Sequence, residues 1–119
     1  KSPAEVEKIR QVCQITSDAF AALPGHSRIG DSEIDITRRM RIDLLERGAD
    51  GTPFMVAGSG SGGYDSIIMG PTDRIQNIGD ILIIDTGSTF DGYFSDITRS
   101  YVFGEPSQRQ REIWDLEKK

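Results

Sequence analysis

The run Ile81–Phe103, "ILIIDTGSTFDGYFSDITRSYVF", constrains the fold more than any other part of the chain. At its centre stands Asp91-Gly92, a dipeptide that two-residue type I′ hairpin turns favour because both central residues need positive φ. A turn there pairs Phe90 with Tyr93. The same register sets Asp85 opposite Thr98 and Asp96 opposite Gly87. Side chains alternate with period two along a strand, so Asp85, Gly87, Asp96 and Thr98 share one face. The two carboxylates are then diagonal neighbours, with Cα atoms roughly 7–8 Å apart. Like charges this close on a half-buried face repel and raise one pKa, so the geometry asks for positive charge. Arg99 does not supply it, since parity turns it to the opposite face. Ile81–Ile84 is apolar on both faces and reads as an interior strand. It delivers Asp85 to a depth where a bare charge is costly. The bland alternative is a pair of solvated strand carboxylates. Oxygen donors on a rigid hairpin suit hard divalent ions, Mn²⁺ first, with Zn²⁺, Co²⁺ or Fe²⁺ if a histidine joins.

Around this hairpin the sequence predicts helices. Ser2-Pro3-Ala4-Glu5 is a start signal, with Ser2 as cap, Pro3 in the first turn and Glu5 closing a capping box. Val6, Ile9, Cys13 and Phe20 then fall on one helical face, and Leu23-Pro24-Gly25 ends the pattern. A second helix starts at Asp31 or Ser32, carries Ile36, Met40 and Leu44, and stops at Gly48. Thr52–Gly58 reads as a short apolar strand, and Ser66–Met69 as another, closed by Gly70-Pro71. Ser107, with Gln110 three residues on, caps a last helix holding Ile113, Trp114 and Leu116. Helices followed by strands predict an α+β fold with helices packed on an antiparallel sheet.

Two motifs compete with the metal reading. Gly58, Gly60 and Gly63 match the spacing of a dinucleotide-binding turn, which must open a helix whose N-terminus receives the pyrophosphate. Only six residues separate Gly63 from Gly70-Pro71, and "YDSIIM" is β-branched, so no helix starts there; a flexible loop at the rim of a site is expected. Asp85-Thr86-Gly87-Ser88 spells the DTGS loop of aspartic proteases. That mechanism needs two such loops facing each other. The 31 residues after Ser88 are too few for flap strands and a closing sheet, and the helix signals contradict an all-β subunit.

Composition narrows the classes further. The 119 residues are enough for a single core. With 36% hydrophobic and 28% charged residues the chain reads as soluble and globular. A net charge of −5, without a dense Lys/Arg run, argues against a nucleic-acid surface. No apolar stretch approaches the roughly 18 residues of a membrane span. The opening "KSPAEVEKIR" has neither an apolar signal core nor an initiator Met, so an excised piece of a longer protein is expected. The one cysteine, Cys13, cannot form an internal disulfide, which makes a reduced, cytoplasmic setting the default.

The stretch "DTGSTFDGYFSDITRSYVFGEPSQRQREIWD" resembles the metal-binding hairpin of the pita-bread peptidase family, which includes methionine aminopeptidase, aminopeptidase P, prolidase and creatinase-like enzymes. It is closest in style to the Xaa-Pro branch. The likeness rests on the eleven-residue spacing of the aspartates, Gly92-Tyr93 before Ser95-Asp96, and Thr98-Arg99. "KSPAEVEKIR" and "ERGADGTPFMVAGSG" extend it over nearly the whole chain. The resemblance implies that Asp85 binds one metal of a dinuclear pair through both oxygens and that Asp96 bridges the two. It also implies that a His and two Glu from a C-terminal half complete the shell, so that residues 1–119 correspond to the N-terminal half of a pita-bread catalytic domain. Such a piece is expected to be inactive and to associate with itself or with the missing half. The only histidine, His26, reads as an ordinary loop residue. The intact protein implied is a hydrolase of small peptides or amides, an Xaa-Pro dipeptidase or aminopeptidase.

The sequence departs from the family in one place. The peptidases keep a catalytic His on the strand before the first metal Asp, and Ser66–Thr72 has none. The catalytic residue is therefore unassigned, with Tyr64 and Asp65 as candidates at the substrate rim. The departure keeps two further readings open, a non-peptidase creatinase-like hydrolase of a small C–N substrate and a catalytically silent binding module.

Overall fold

The computed structural model describes residues 2–64 and 69–117. Helix α1 spans Pro3–Ala22 and begins as expected: the Ser2 hydroxyl accepts from the Glu5 amide, and the Glu5 carboxylate accepts from the Ser2 amide. A 3₁₀ turn, Leu23–His26, follows where Pro24-Gly25 breaks the helix. Helix α2, Glu33–Glu46, repeats the capping box with Ser32 and Asp35. Ile36, Met40 and Leu44 are buried on its inner face, and Gly48 beyond its end has φ of 113°.

Strand β1 (Gly51–Ser59) pairs antiparallel with β2 (Ile81–Phe90), which turns back as β3 (Tyr93–Phe94) and β4 (Ile97–Val102). The turn has φ of 51° at Asp91 and 85° at Gly92, as a type I′ hairpin requires. Phe90 pairs with Tyr93, and Asp85 pairs with Thr98, so the register read from the sequence holds over the length of the hairpin. Helix α3, Gln108–Glu117, is capped by Ser107 and Gln110 in the predicted reciprocal pair.

Period two sorts the sheet into two faces. Met55, Ala57, Leu82 and Ile84 point to the side that α1 and α2 cover, where they join Phe20, Leu23, Ile36, Met40 and Leu44 in one core. Val56, Ile83 and Asp85 point the other way and are only half-buried. The apolar character of β2 on both faces therefore has two causes. One face is core, and the other lines the site described below.

The expected face of α1 needs correction. Val12, Thr16, Ala19 and Phe20 are its buried residues, while Val6 is 41% exposed and Cys13 half-buried. The helix is rotated so that Thr16 meets two serines of the hairpin, a polar contact that a hydrophobic pattern cannot see. Of the strand expected at Ser66–Met69, Ser66–Ile68 lies outside the described residues; the Met69 carbonyl accepts from the Ala57 amide beside β1. Residues 61–64 form a turn, and the stretch 65–68 where a dinucleotide-binding helix would continue lies outside the described residues. No helix among the described residues is long and apolar enough to cross a membrane.

Candidate metal centre

Asp85 sits on the central strand, flanked by Val56 of β1 and Thr98 of β4. Asp96 lies in the short gap between β3 and β4, where the ladder opens. Gly87, opposite this gap, lets the chain at Ser95 pass close to β2. A Cβ there would overlap the Ser95 carbonyl oxygen and come within 2.7 Å of the Phe54 ring. The close approach of the Ser95 backbone and the Phe54 ring to β2 therefore depends on residue 87 having no side chain.

A buried hydroxyl cluster fixes the backbone beneath Asp96. Thr16 Oγ1 lies 2.6 Å from both Ser88 Oγ and Ser95 Oγ, and the Ser88 amide donates to Ser95 Oγ at 3.0 Å. The Ser95 amide completes the pairing by donating to the Ser88 carbonyl at 3.0 Å. All three side chains are buried, so each hydroxyl needs these partners. Nothing in the residue pattern points to this contact, because Thr16 and Ser95 are far apart along the chain and small hydroxyl residues carry no periodic signal.

The two carboxylates meet. Asp85 hydrogen-bonds to Asp96 and holds its carboxyl above the usual carboxylate range; the charge of Asp85 and partial desolvation act in the same direction. One oxygen of Asp85, Oδ1, is buried with no hydrogen-bond partner among the described residues. No ion pair of the described residues reaches either carboxylate. Arg99 is exposed and donates to the Thr98 carbonyl at 2.8 Å, turned away as parity requires. Two adjacent carboxyl groups, one of them with a buried oxygen that has no hydrogen-bond partner among the described residues, fit a divalent cation between them. Among the described residues no third His, Cys, Asp or Glu joins the pair. His26 is exposed in the 3₁₀ turn, and its carbonyl accepts from Arg39.

Tyr64 borders the same site. It lines a cavity of 270 Å³ together with Val56, Ala57, Gly58, Gly63, Ile83, Asp85 and Thr98. Asp65 lies outside the described residues. A second feature unforeseen from the sequence is Glu33, buried at the start of α2. Its Oε1 accepts from the Thr72 amide at 2.9 Å and the Thr72 hydroxyl at 3.1 Å, and its Oε2 accepts from Ser59. Gln76 also donates to Ser59, at 2.9 Å, so the end of β1 is held from two sides. An acid in the first turn of a helix is ordinarily read as dipole complement, which hides a buried role.

Known proteins share this arrangement of elements. The chain is 31% identical over 118 residues to an uncharacterized peptidase, YqhT, of Bacillus subtilis, covering 98% of this chain and 33% of that protein. It is 30% identical to the Xaa-Pro dipeptidase of Pyrococcus furiosus over 119 residues, again 98% of this chain and 33% of the relative. Among solved structures, dipeptidase PepE from Mycobacterium ulcerans superposes with a TM-score of 0.89 at 29% identity, over 97% of this chain and 31% of that one. The prolidase from Pyrococcus furiosus gives 0.86 at 29% identity, over 98% and 34%. The chain thus spans about a third of the length of the relatives it matches. The half pita-bread architecture expected from the sequence is the one observed: among the described residues, three helices and a four-stranded antiparallel sheet, with α1 and α2 packed on the sheet. The model of metallopeptidase family M24 matches residues 7–119, hairpin and aspartates included, and the chain belongs to that family.

Proposed function

We propose that the chain is the N-terminal half of a pita-bread catalytic domain whose intact form hydrolyses a small peptide or amide, in the manner of an Xaa-Pro dipeptidase or aminopeptidase. The observation that carries this reading is the pairing of Asp85 with Asp96, with Asp85 Oδ1 buried and unpartnered among the described residues. Asp85 and Asp96 would hold a pair of divalent cations, Mn²⁺ first on the hardness of the donors. When bound, such cations supply hydroxide at neutral pH and polarise a carbonyl. The chain's own contribution is positional. The hydroxyl cluster of Thr16, Ser88 and Ser95 sets the backbone of Asp96, and the ladder to Val56 and Thr98 sets Asp85. Residues 1–119 alone offer two carboxylates, short of the roughly four protein ligands of a stable site, so they are inactive by themselves.

The missing histidine supports a second reading, a non-peptidase hydrolase of a small C–N bond. In either case Asp85→Asn in the full-length protein is expected to abolish metal loading, read as metal content after dialysis. Retained stoichiometric metal would overturn the assignment. Losing one preorganised stabiliser typically costs about 10²- to 10³-fold in turnover, so the full-length protein is expected to be weak on Xaa-Pro dipeptides. Ile68→His or Met69→His, made singly, should raise that activity. Wild-type turnover in the ordinary range of about 1–10³ per second would show that another residue fills the role.

A further inference from the structure

The buried carboxylate of Glu33 joins two points that lie at opposite ends of one loop. Its Oε2 accepts from the hydroxyl of Ser59, the last residue of β1, and its Oε1 accepts from the amide and hydroxyl of Thr72, where the loop ends. Residues 72–76 then run along the first turn of α2. The Glu33 amide donates to the Arg74 carbonyl and the Ile34 amide to the Thr72 carbonyl, both at 3.0 Å. The Gly30 amide donates to the Gln76 carbonyl and the Gln76 amide to the Asp31 carbonyl, both at 2.9 Å. Free amides of a helix N-terminus are usually answered by side chains or water, and here the returning chain answers them. The near end of the loop is folded as tightly. A Cβ on Gly58 would overlap the Gly63 carbonyl oxygen, and one on Gly63 the Ser59 carbonyl, so the chain doubles back on β1. Tyr64 follows, its hydroxyl donating to the Ile81 carbonyl at 2.6 Å and accepting from the Ile81 amide at 3.2 Å.

We propose that Glu33 is a positioning residue of the hydrolase site: one carboxylate of α2 ties Ser59 to Thr72, so that the chain between them leaves and rejoins the sheet at fixed points. This deepens the hydrolase reading above and rests on it. Glu33 and Ser59 are buried, so water does not replace the bonds between them. Three donors converge on the two oxygens of Glu33. An amide at that position would offer one oxygen, enough for one end of the loop, and an apolar side chain would offer none. Bringing the ends of a loop together costs chain entropy, and a single group bonded to both offsets that cost for the two ends jointly. Loss of the carboxylate therefore frees both ends at once, which loss of a residue that only caps α2 would not do. The consequence reaches the site through β1. Ser59 ends the strand that sets Val56 beside Asp85, and Thr72 ends the stretch in which the sequence has no histidine. The bonds of Glu33 go to neither Asp85 nor Asp96 among the described residues, so its effect on the chemistry is one of placement.

The test is hydrogen exchange of the full-length, metal-loaded protein, with metal content and hydrolysis of alanyl-proline measured on the same samples. Glu33→Met keeps the length of the side chain and removes both oxygens. In it the amides at Gly60 and Thr72 are expected to exchange faster together, by about 10-fold or more. Metal content is expected to stay as in wild type, because the hairpin and Thr16 hold the aspartates separately. Turnover is expected to fall by up to about 100-fold, with KM changed less, as for a misplaced site. Glu33→Gln keeps one oxygen and is expected to loosen one end only; it decides the matter where the methionine variant does not fold, and wild-type exchange at both ends would then overturn the inference. Faster exchange at a single end in Glu33→Met, equal loosening of α2 and the hairpin, loss of metal, or unchanged turnover would overturn it as well. A wild type that hydrolyses nothing, with the paired exchange response present, would instead count against the hydrolase reading and leave the tie between Ser59 and Thr72 standing.

Discussion

At the scale of single residues, the site is built less by its carboxylates than by what holds them. Thr16 contributes from α1 a hydroxyl that two hairpin serines share, immediately before Asp96. Replacing it with the isosteric valine keeps the volume and leaves Ser88 and Ser95 with only each other, at 3.1 Å. A buried polar group deprived of its partner costs about 1–3 kcal/mol. Thr16→Val is therefore expected to lower stability by about that amount, measured by urea or thermal denaturation of the full-length protein. A change near zero would mean that the serines satisfy themselves and that the cluster is not what fixes the hairpin. The same comparison separates Thr16 from Cys13, one turn earlier. Cys13 looked like part of the buried face from the hydrophobic pattern and is only half-buried.

At the scale of elements, β4 is tied to α1 by Tyr101. Its ring stacks on Phe20 with centroids 6.3 Å apart, and its hydroxyl donates to the Phe20 carbonyl at 2.7 Å. Burial pushes the Tyr101 phenol up to about 12, with nearby Arg99 acting weakly the other way. A folded pKa above the unfolded one means that folding favours the protonated form. The stability this gives is present in full below the unfolded value near 10 and is lost as pH rises through about 12. Alkaline titration of stability should show that loss in the wild type and less of it in Tyr101→Phe. At neutral pH the phenylalanine variant should be weaker by about 1 kcal/mol, the usual worth of one hydrogen bond. An identical alkaline profile in both proteins would place the titrating group elsewhere.

At the scale of the whole molecule, the helices cover one face of the sheet and leave the other to Val56, Ile83 and the aspartates. β4 pairs only with β2 among the described strands, so its outer edge presents unpaired backbone groups. Helix α3 has no buried residue, and Ile113, Trp114 and Leu116 are 47, 61 and 72% exposed. An apolar half-face, an open strand edge and an uncovered amphipathic helix on one small chain favour association. Residues 1–119 expressed alone are expected to sediment as more than a monomer, or to bind the remainder of the protein when the two are mixed. A monomer mass at high concentration, with no complex on mixing, would remove the case for either.

Local rules were enough for much of this protein. Two helix starts were legible because Ser2 and Ser107 each stand three residues before an acid or amide that can answer them, and capping is a contact within one turn; the second start was open between Asp31 and Ser32 until the reciprocal pair of Ser32 with Asp35 decided it. The hairpin register was legible because Asp91-Gly92 admits one tight turn, after which period two fixes the face of every side chain, including Asp85 and Asp96. What the sequence could not give were the contacts between segments distant along the chain. The rotation of α1 was decided by Thr16 meeting Ser88 and Ser95, the burial of Glu33 by Ser59 and Thr72, and the position of Tyr64 by a glycine loop folded back onto Ile81. These are hydrogen bonds and close approaches of groups without any repeat of their own, so periodicity carries no trace of them. Only the packing of helices on the sheet brings their partners within reach.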